Sequence, residues 1–319
     1  MKILVTGGAG YIGSVLVPEL VKEGHEVKVV DLLWFGNKLS PDVEVIQKGI
    51  QDIKEKELRG TDAVIHLAGL TNDPMAEYNP LQNYVINAAQ TAYLAQKAKE
   101  CKVERFIYAS TCSVYGFTGA DKFSVEDDNP SPQFPYGISK LMAERSLLAL
   151  TDIYFGVVIL RKGTVGGYSP RMRYDLVVNT MVKSALKTGK LVVRTASLWR
   201  PIVDIQDVCE AYKLALKEEP WGIFNIIERN YTIKELGLTI ANAMEEAGKP
   251  KPFVEIYENL DLRNYKASGQ KAKDYLGFSP EFTVKDTVKE LIERIDEGEC
   301  GDFDNPNYYN IEIMKKLDE

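Results

Sequence analysis

The sequence predicts an α/β protein built on a doubly wound parallel sheet, with a smaller α/β substrate-binding unit attached. Three observations predict it. Short β-branched runs alternate with longer amphipathic segments over the first two thirds of the chain. Those runs are apolar on both faces, as strands covered by helices on each side must be. A glycine-rich turn follows the first run directly and opens the first amphipathic segment.

Taken in order, strands are expected at "KILVT" (2–6), "VKVV" (27–30), "VEVI" (43–46), "AVIHLA" (63–68), "RFIYAS" (105–110) and "YFGVVIL" (154–160). Helical periodicity fills 11–24, 81–100 and 137–150 between them. After about residue 165 the alternation loosens. Helical stretches recur near 174–188, 206–217, 232–247 and 283–296, with extended pieces at "LVVR" (191–194) and "GIFNII" (222–227). The tail 300–319 reads as polar and irregular, with no role assigned to it.

Bulk properties exclude several classes of function. A length of 319 residues with 45% hydrophobic content supports one large domain or two that share a core. The net charge of −7 gives no electrostatic case for nucleic acid or an anionic membrane. No apolar stretch approaches the ~20 residues a membrane-spanning helix requires. The N-terminus enters an apolar strand at once, without a secretory leader pattern. Cys101, Cys112, Cys209 and Cys300 form no CxxC pair, which suits reduced thiols in a cytoplasmic protein. His25 and His66 do not make a zinc site by themselves, so no metal is expected.

"VTGGAGYIGS" (5–14) spaces Gly7, Gly10 and Gly13 as GxxGxxG, between the first strand and the first helix. Glycine permits a tight turn and close approach of backbone N–H groups to a pyrophosphate, and the helix adds the positive end of its dipole. A glycine-rich turn with no ligand is the plain alternative, but strand, turn and helix are in register here. The second strand ends at Asp31, whose carboxylate suits the hydroxyls of an adenosine ribose and repels a 2′-phosphate. That favours NAD over NADP in a Rossmann-type arrangement.

"YGISK" (136–140) sets Tyr136 and Lys140 four residues apart, on one face of a helix. A phenol with an ordinary pKa of about 10 is a poor base at neutral pH. A lysine cation one turn away stabilises its phenolate. On its own YxxxK is commonly a solvated helix face. Here it follows a dinucleotide cradle and the hydroxyl-rich strand end "STCSVYG" (110–116). A thiol nucleophile at Cys112 paired with His66 is the competing chemistry, and a buried bystander thiol is the plainer reading of Cys112.

"GGAGYIG", "HLAG" (66–69), "STCSVYG" and "YGISK", in this order, resemble the extended short-chain dehydrogenase/reductases that act on nucleotide sugars. The resemblance continues through "LRKGTVGG" (160–167), "SPRMRYDLVVN" (169–179), "RPIVDIQDV" (200–208) and "LRNYKASGQKAKDYLGFSP" (262–280). It implies that Thr111 hydrogen-bonds the reacting sugar hydroxyl and that Tyr136 is the general base. Lys140 is implied to bind the nicotinamide ribose and tune Tyr136. It places Gly7, Gly10, Tyr11, Ile12, Gly13, Asp31, Leu67, Ala68 and Gly69 on the cofactor, with Asn87 supporting the site from a helix. Asn179, Arg200 and Arg263 fall on positions that hold the substrate nucleotide. A helix cap for Asn179 and surface ion pairs for the arginines are the alternatives. Departures from the family pattern are Ile50 for an aspartate near adenine, Leu32 for a polar residue, Thr164 for asparagine and Gly166 for tyrosine. The "SPRMRYDL" form is similar to a branch that includes heptose-nucleotide 4-dehydrogenases as well as hexose 4-epimerases.

In this family, dehydratases carry an Asp-Glu pair after the threonine, and decarboxylases commonly a glutamate two residues after it. Cys112 and Ser113 stand there instead. The resemblance therefore implies an NAD-dependent nucleotide-sugar 4-epimerase, which oxidises C4 to a transient 4-keto sugar and returns the hydride to its opposite face. A C4-dehydrogenase or reductase of the same family is the alternative, and a non-catalytic NAD(H)-binding sensor a third. Residues 1–165 are expected to form the NAD-binding domain, with returning segments about 190–228. Residues 166–189 and 229–319 are expected to bind the nucleotide sugar. The resemblance also implies a homodimer through helices at about 81–100 and 137–150, with which the apolar Tyr93, Leu94, Leu141, Leu147 and Leu148 are compatible, as they equally are with burial on the sheet.

Overall fold

The computed structural model describes residues 1–119, 121–217, 219–258 and 264–318. Seven parallel strands form the large sheet: β1 (Lys2–Thr6), β2 (Glu26–Asp31), β3 (Glu44–Gln47), β4 (Ala63–His66), β5 (Arg105–Thr111), β6 (Gly156–Lys162) and β7 (Gly222–Ile226). Their order is β7-β6-β5-β4-β1-β2-β3. The strand order reverses beside β1, so ligands belong beyond the carboxyl ends of β1 and β4. The longer helices are α1 (Gly13–Lys22), α2 (Thr91–Glu100), α3 (Pro135–Leu150), α4 (Val177–Thr188), α5 (Ile205–Leu214), α6 (Ile233–Glu246), α7 (Val284–Asp296) and α8 (Asn310–Asp318).

Alternation along each strand sends side chains to both faces. Ile3 and Val5 of β1 pack with α1 and α5, while Leu4 packs with α2 and α3. A second core gathers Val178 and Val182 of α4, Leu236 and Ile240 of α6, and Val288 and Leu291 of α7. Three small sheets serve this part of the molecule. Residues 164–166, 199–204 and 229–232 form one, 190–193 pairs with 253–256, and 123–124 pairs with 266–267. From the stretch 190–228, it is α5 and β7 that rejoin the large sheet layers.

Three elements differ from the sequence expectation. The helix expected over 81–100 is broken into Pro80–Tyr84, a π-turn over Val85–Gln90, and α2. The strand expected at 154–160 runs instead from Gly156 to Lys162. Tyr154 is held in an Asx turn, its N–H donating to Asp152 Oδ1 at 2.8 Å. The far end of that strand carries two buried cations, Arg161 and Lys162, which local patterning assigns to a loop. The tail is not irregular throughout: α8 buries Ile313 and Met314 and packs Met314 against Leu70 and Met75. Among the described residues no helix is long and apolar enough to cross a membrane.

Candidate active site

A cavity of about 1190 Å³ opens at the carboxyl ends of the large sheet and extends toward α4 and α8. The turn after β1 forms one wall. Gly7 has φ +72°, and a Cβ there would lie 2.6 Å from the Ala68 backbone nitrogen. Only glycine lets this turn lie against the end of β4. A Cβ at Gly13 would lie 2.3 Å from the Gly8 carbonyl oxygen, so glycine also sets how closely α1 approaches the turn. Gly10, Tyr11 and Ile12 line the same wall, and Leu67, Ala68 and Gly69 line the neighbouring one.

At the end of β2, Asp31 accepts N–H donation from Ala9 at 3.0 Å and from Leu33 at 2.7 Å. Burial still raises its pKa above the ordinary carboxylate range, and the two backbone bonds oppose that. The carboxylate is therefore fixed in direction while remaining on the cavity wall, beside Ile50, Trp34 and Phe35.

The cavity floor is the end of β5. Thr111 caps a 3-10 turn over Cys112–Tyr115, its Oγ1 accepting from the Ser113 N–H at 3.1 Å. Gly116 closes the turn at φ +68° against the Ser131 carbonyl. Thr111 stands beside the Tyr136 phenol, where its hydroxyl opposes the rise in the phenol's pKa. Tyr136 and Lys140 enter from α3, with Pro135 in its first turn. Lys140 Nζ donates to the Ala109 carbonyl at 3.0 Å and lies 5.9 Å from the Tyr136 ring centroid. Desolvation raises the Tyr136 pKa, the Asp73 carboxylate adds to this, and Arg173 opposes it. Burial pushes Lys140 down to about 8, against the pull of Glu144.

Asn87 lies behind this wall. The π-turn aims its amide at the chain after β4, where Oδ1 accepts from Leu70 N and Nδ2 donates to Leu70 O, both at 2.9 Å. Its role in this geometry is to hold the Gly69–Leu70 loop. π-Turns often sit at functional sites for such reasons.

On the substrate side, Arg200 lines the cavity, with its guanidinium 5.1 Å from the Tyr265 ring centroid. Asn179 does not line it. Its amide is used internally, accepting from Gly167 N at 3.0 Å and donating to Arg173 O at 2.9 Å. Thus Asn179 pins the segment preceding α4 instead of facing a ligand. Arg263 lies outside the described residues.

Neither member of the Cys112–His66 alternative is fit for nucleophilic chemistry. Cys112 is fully buried, donates to the Arg161 carbonyl at 3.2 Å, and has its thiol pKa pushed up by burial. His66 has both ring nitrogens engaged, with Thr6 Oγ1 at 2.6 Å and Thr91 Oγ1 at 2.9 Å. Burial pushes it down to about 3, so it stays neutral.

Several cavity residues escape sequence reasoning. Lys162 is buried between the Ser110 carbonyl, at 2.9 Å, and the Tyr212 hydroxyl, at 3.3 Å. Arg173 donates to both Asp175 oxygens, at 2.9 and 2.8 Å. Asp73 and Tyr265 face Tyr136, and Asn310 and Ile311 arrive from the C-terminal helix. The only local signal was the "SPRMR" cluster of cations, which carries no position without the fold.

The cradle fits a dinucleotide: its glycines are sterically required, and a fixed carboxylate stands one strand away. Comparison with known proteins agrees. Residues 3–226 match the model of the "NAD dependent epimerase/dehydratase family". The chain is 29% identical to a UDP-glucose 4-epimerase of Lactobacillus helveticus, over 90% of this chain and 94% of that protein. It is also 29% identical to a UDP-N-acetyl-alpha-D-glucosaminuronate decarboxylase of Bacillus cytotoxicus, over 92% and 97%. A solved UDP-glucose 4-epimerase with UDP-glucose from Thermotoga maritima superposes with a TM-score of 0.82 at 28% identity, covering 93% of this chain and 99% of that one. A family match across most of the chain, on the fold those relatives share, makes this protein an NAD-dependent enzyme of the epimerase/dehydratase family.

Proposed function

We propose that the protein is a nucleotide-sugar 4-epimerase. One observation carries the reading. Thr111, Tyr136 and Lys140 converge on the cavity floor, while the two positions after Thr111 hold a buried thiol and a hydroxyl. A site so built can move a proton and accommodate an oxidised C4, but it lacks a carboxylic acid there to expel a hydroxyl. The names of the relatives, two of them UDP-glucose 4-epimerases, support the class and make UDP-sugars the first substrates to test.

In this reading Gly7, Gly10, Tyr11, Ile12 and Gly13 hold the cofactor diphosphate and Asp31 holds the adenosine ribose. Leu67, Ala68 and Gly69 line its path and Lys140 binds the nicotinamide ribose. A bound NAD would supply the acceptor and donor for the C4 hydride. Tyr136 accepts the C4 hydroxyl proton and later returns it, and Thr111 orients that hydroxyl. Lys140 supplies the positive charge that the phenolate requires, which matters because desolvation, with the Asp73 carboxylate adding to it, holds the Tyr136 proton on. In the same reading Arg200, which lines the cavity, takes the substrate diphosphate, to which its fork is suited. The division of labour follows the fold, with the large sheet holding the cofactor and the α4–α6–α7 unit facing the sugar nucleotide.

Tyr136→Phe tests the reading. Removing a general base lowers turnover roughly 10²–10⁴-fold, with nucleotide still bound. Unchanged turnover would remove Tyr136 from the mechanism.

A further inference from the structure

Arg171 is a buried cation to which the mechanism above assigns no role. It is 3% exposed, yet its guanidinium lies on the cavity wall. Its Nη2 donates to Asn310 Oδ1 at 2.5 Å, its face lies 3.6 Å from the Phe35 ring centroid, and its Nε has no partner among the described residues. Among the described residues no carboxylate pairs with it. Asp175 is taken by Arg173 in a two-pronged pair, and Asp31 by the N–H groups of Ala9 and Leu33. Burial and the neighbouring Arg173 push Arg171 down to about 9, the response of a cation in want of an anion.

Its position indicates which anion. The Arg171 backbone N–H donates to Ser169 Oγ at 3.2 Å, and Ser169 Oγ donates to the Tyr11 carbonyl at 2.7 Å. The main chain at residue 171 is thereby tied to the phosphate turn, while its guanidinium stacks on Phe35, just past Asp31. That is the span a dinucleotide's diphosphate crosses between the glycine turn and the adenosine ribose. A 2′-phosphate there would meet the Asp31 carboxylate.

We propose that Arg171 neutralises the diphosphate of the bound dinucleotide, and that Asn310 of α8 holds it there, so the C-terminal helix acts as a latch on the cofactor. Asn310 is itself buried and donates from Nδ2 to Thr71 Oγ1 at 2.7 Å, which bridges the latch to the loop after β4. The inference rests on the NAD reading of the cradle.

Equilibrium binding to the apoprotein by titration calorimetry tests it, using NAD⁺, NADP⁺, ADP-ribose, adenosine and UDP. Wild type is measured first: absence of NAD⁺ binding would refute the cofactor reading itself. With wild type binding, Arg171→Gln is expected to weaken NAD⁺ and ADP-ribose alike by about 10–100-fold, the worth of one charge-assisted contact. Adenosine and UDP affinities stay at the wild-type value. Asn310→Ala leaves the charge in place and weakens NAD⁺ less than Arg171→Gln does, which keeps the test decisive should the first variant fold poorly. Unchanged NAD⁺ affinity in both variants overturns the proposal. So does a loss confined to NADP⁺, which would assign Arg171 to a 2′-phosphate, or to UDP, which would assign it to the substrate. An equal loss for adenosine would show general damage to the pocket and also count against it.

Discussion

Two lysines, not one, stand under the reacting position. Lys140 has a stated role, but Lys162 lies on the neighbouring strand in register with Thr111 and carries a second buried ammonium. Burial, with the Lys140 cation adding to it, pushes Lys162 down to about 7. An unfolded lysine titrates near ~10.4, so from about pH 7 to about pH 10 the folded state binds fewer protons than the unfolded one. Stability contributed by this residue therefore rises with pH across that window. Lys162→Met removes the term. Its stability relative to wild type should fall steadily as pH rises from about 7 to about 10, measured by chemical denaturation of the apoprotein. A difference independent of pH would show that Lys162 is not held as a stressed cation. Thr111, Tyr136 and Lys140 were legible because each motif is local: a strand end, and two residues one helical turn apart. Lys162, Asp73 and Arg171 were not, because strand register and chain reversals bring them to the site. Asn179 was misleading for the opposite reason, since its motif is local but the fold turns its amide inward.

At the scale of elements, the central strands β1, β4, β5 and β6 were legible because both faces of each are buried and largely apolar, while the edge strand β3 showed through its β-branched pair Val45 and Ile46. It missed the π-turn because Val85–Gln90 keeps an ordinary helical composition, and the bulge is imposed by Asn87 reaching Leu70. α8 was missed because nine residues with two buried apolar side chains give too short a periodicity. The two helices expected at a dimer interface divide their apolar residues between two tasks. Leu94, Leu141 and Leu147 are buried on the molecule itself, while Tyr93, Met142 and Leu148 are exposed. We propose that these exposed residues of adjacent α2 and α3 meet a second copy. Multi-angle light scattering should give twice the 35.8 kDa chain mass for wild type and the single mass for a Met142→Glu/Leu148→Glu variant. A monomeric wild type would exclude the interface.

Across the whole molecule, one cavity joins two cores. The large sheet supplies the glycine turn, Asp31 and the Thr111 floor, and the second core brings Arg200 and the segment pinned by Asn179 to its opposite wall. The central claim is that this cavity oxidises and reduces one carbon in place. Incubating the purified protein with a panel of UDP-, dTDP-, GDP- and CDP-sugars, while following NADH absorbance and product stereochemistry, tests it most directly. The expected result is the C4 epimer of at least one sugar with no net NADH. Ketose accumulating with one equivalent of NADH, or a dehydrated or decarboxylated product, would contradict it.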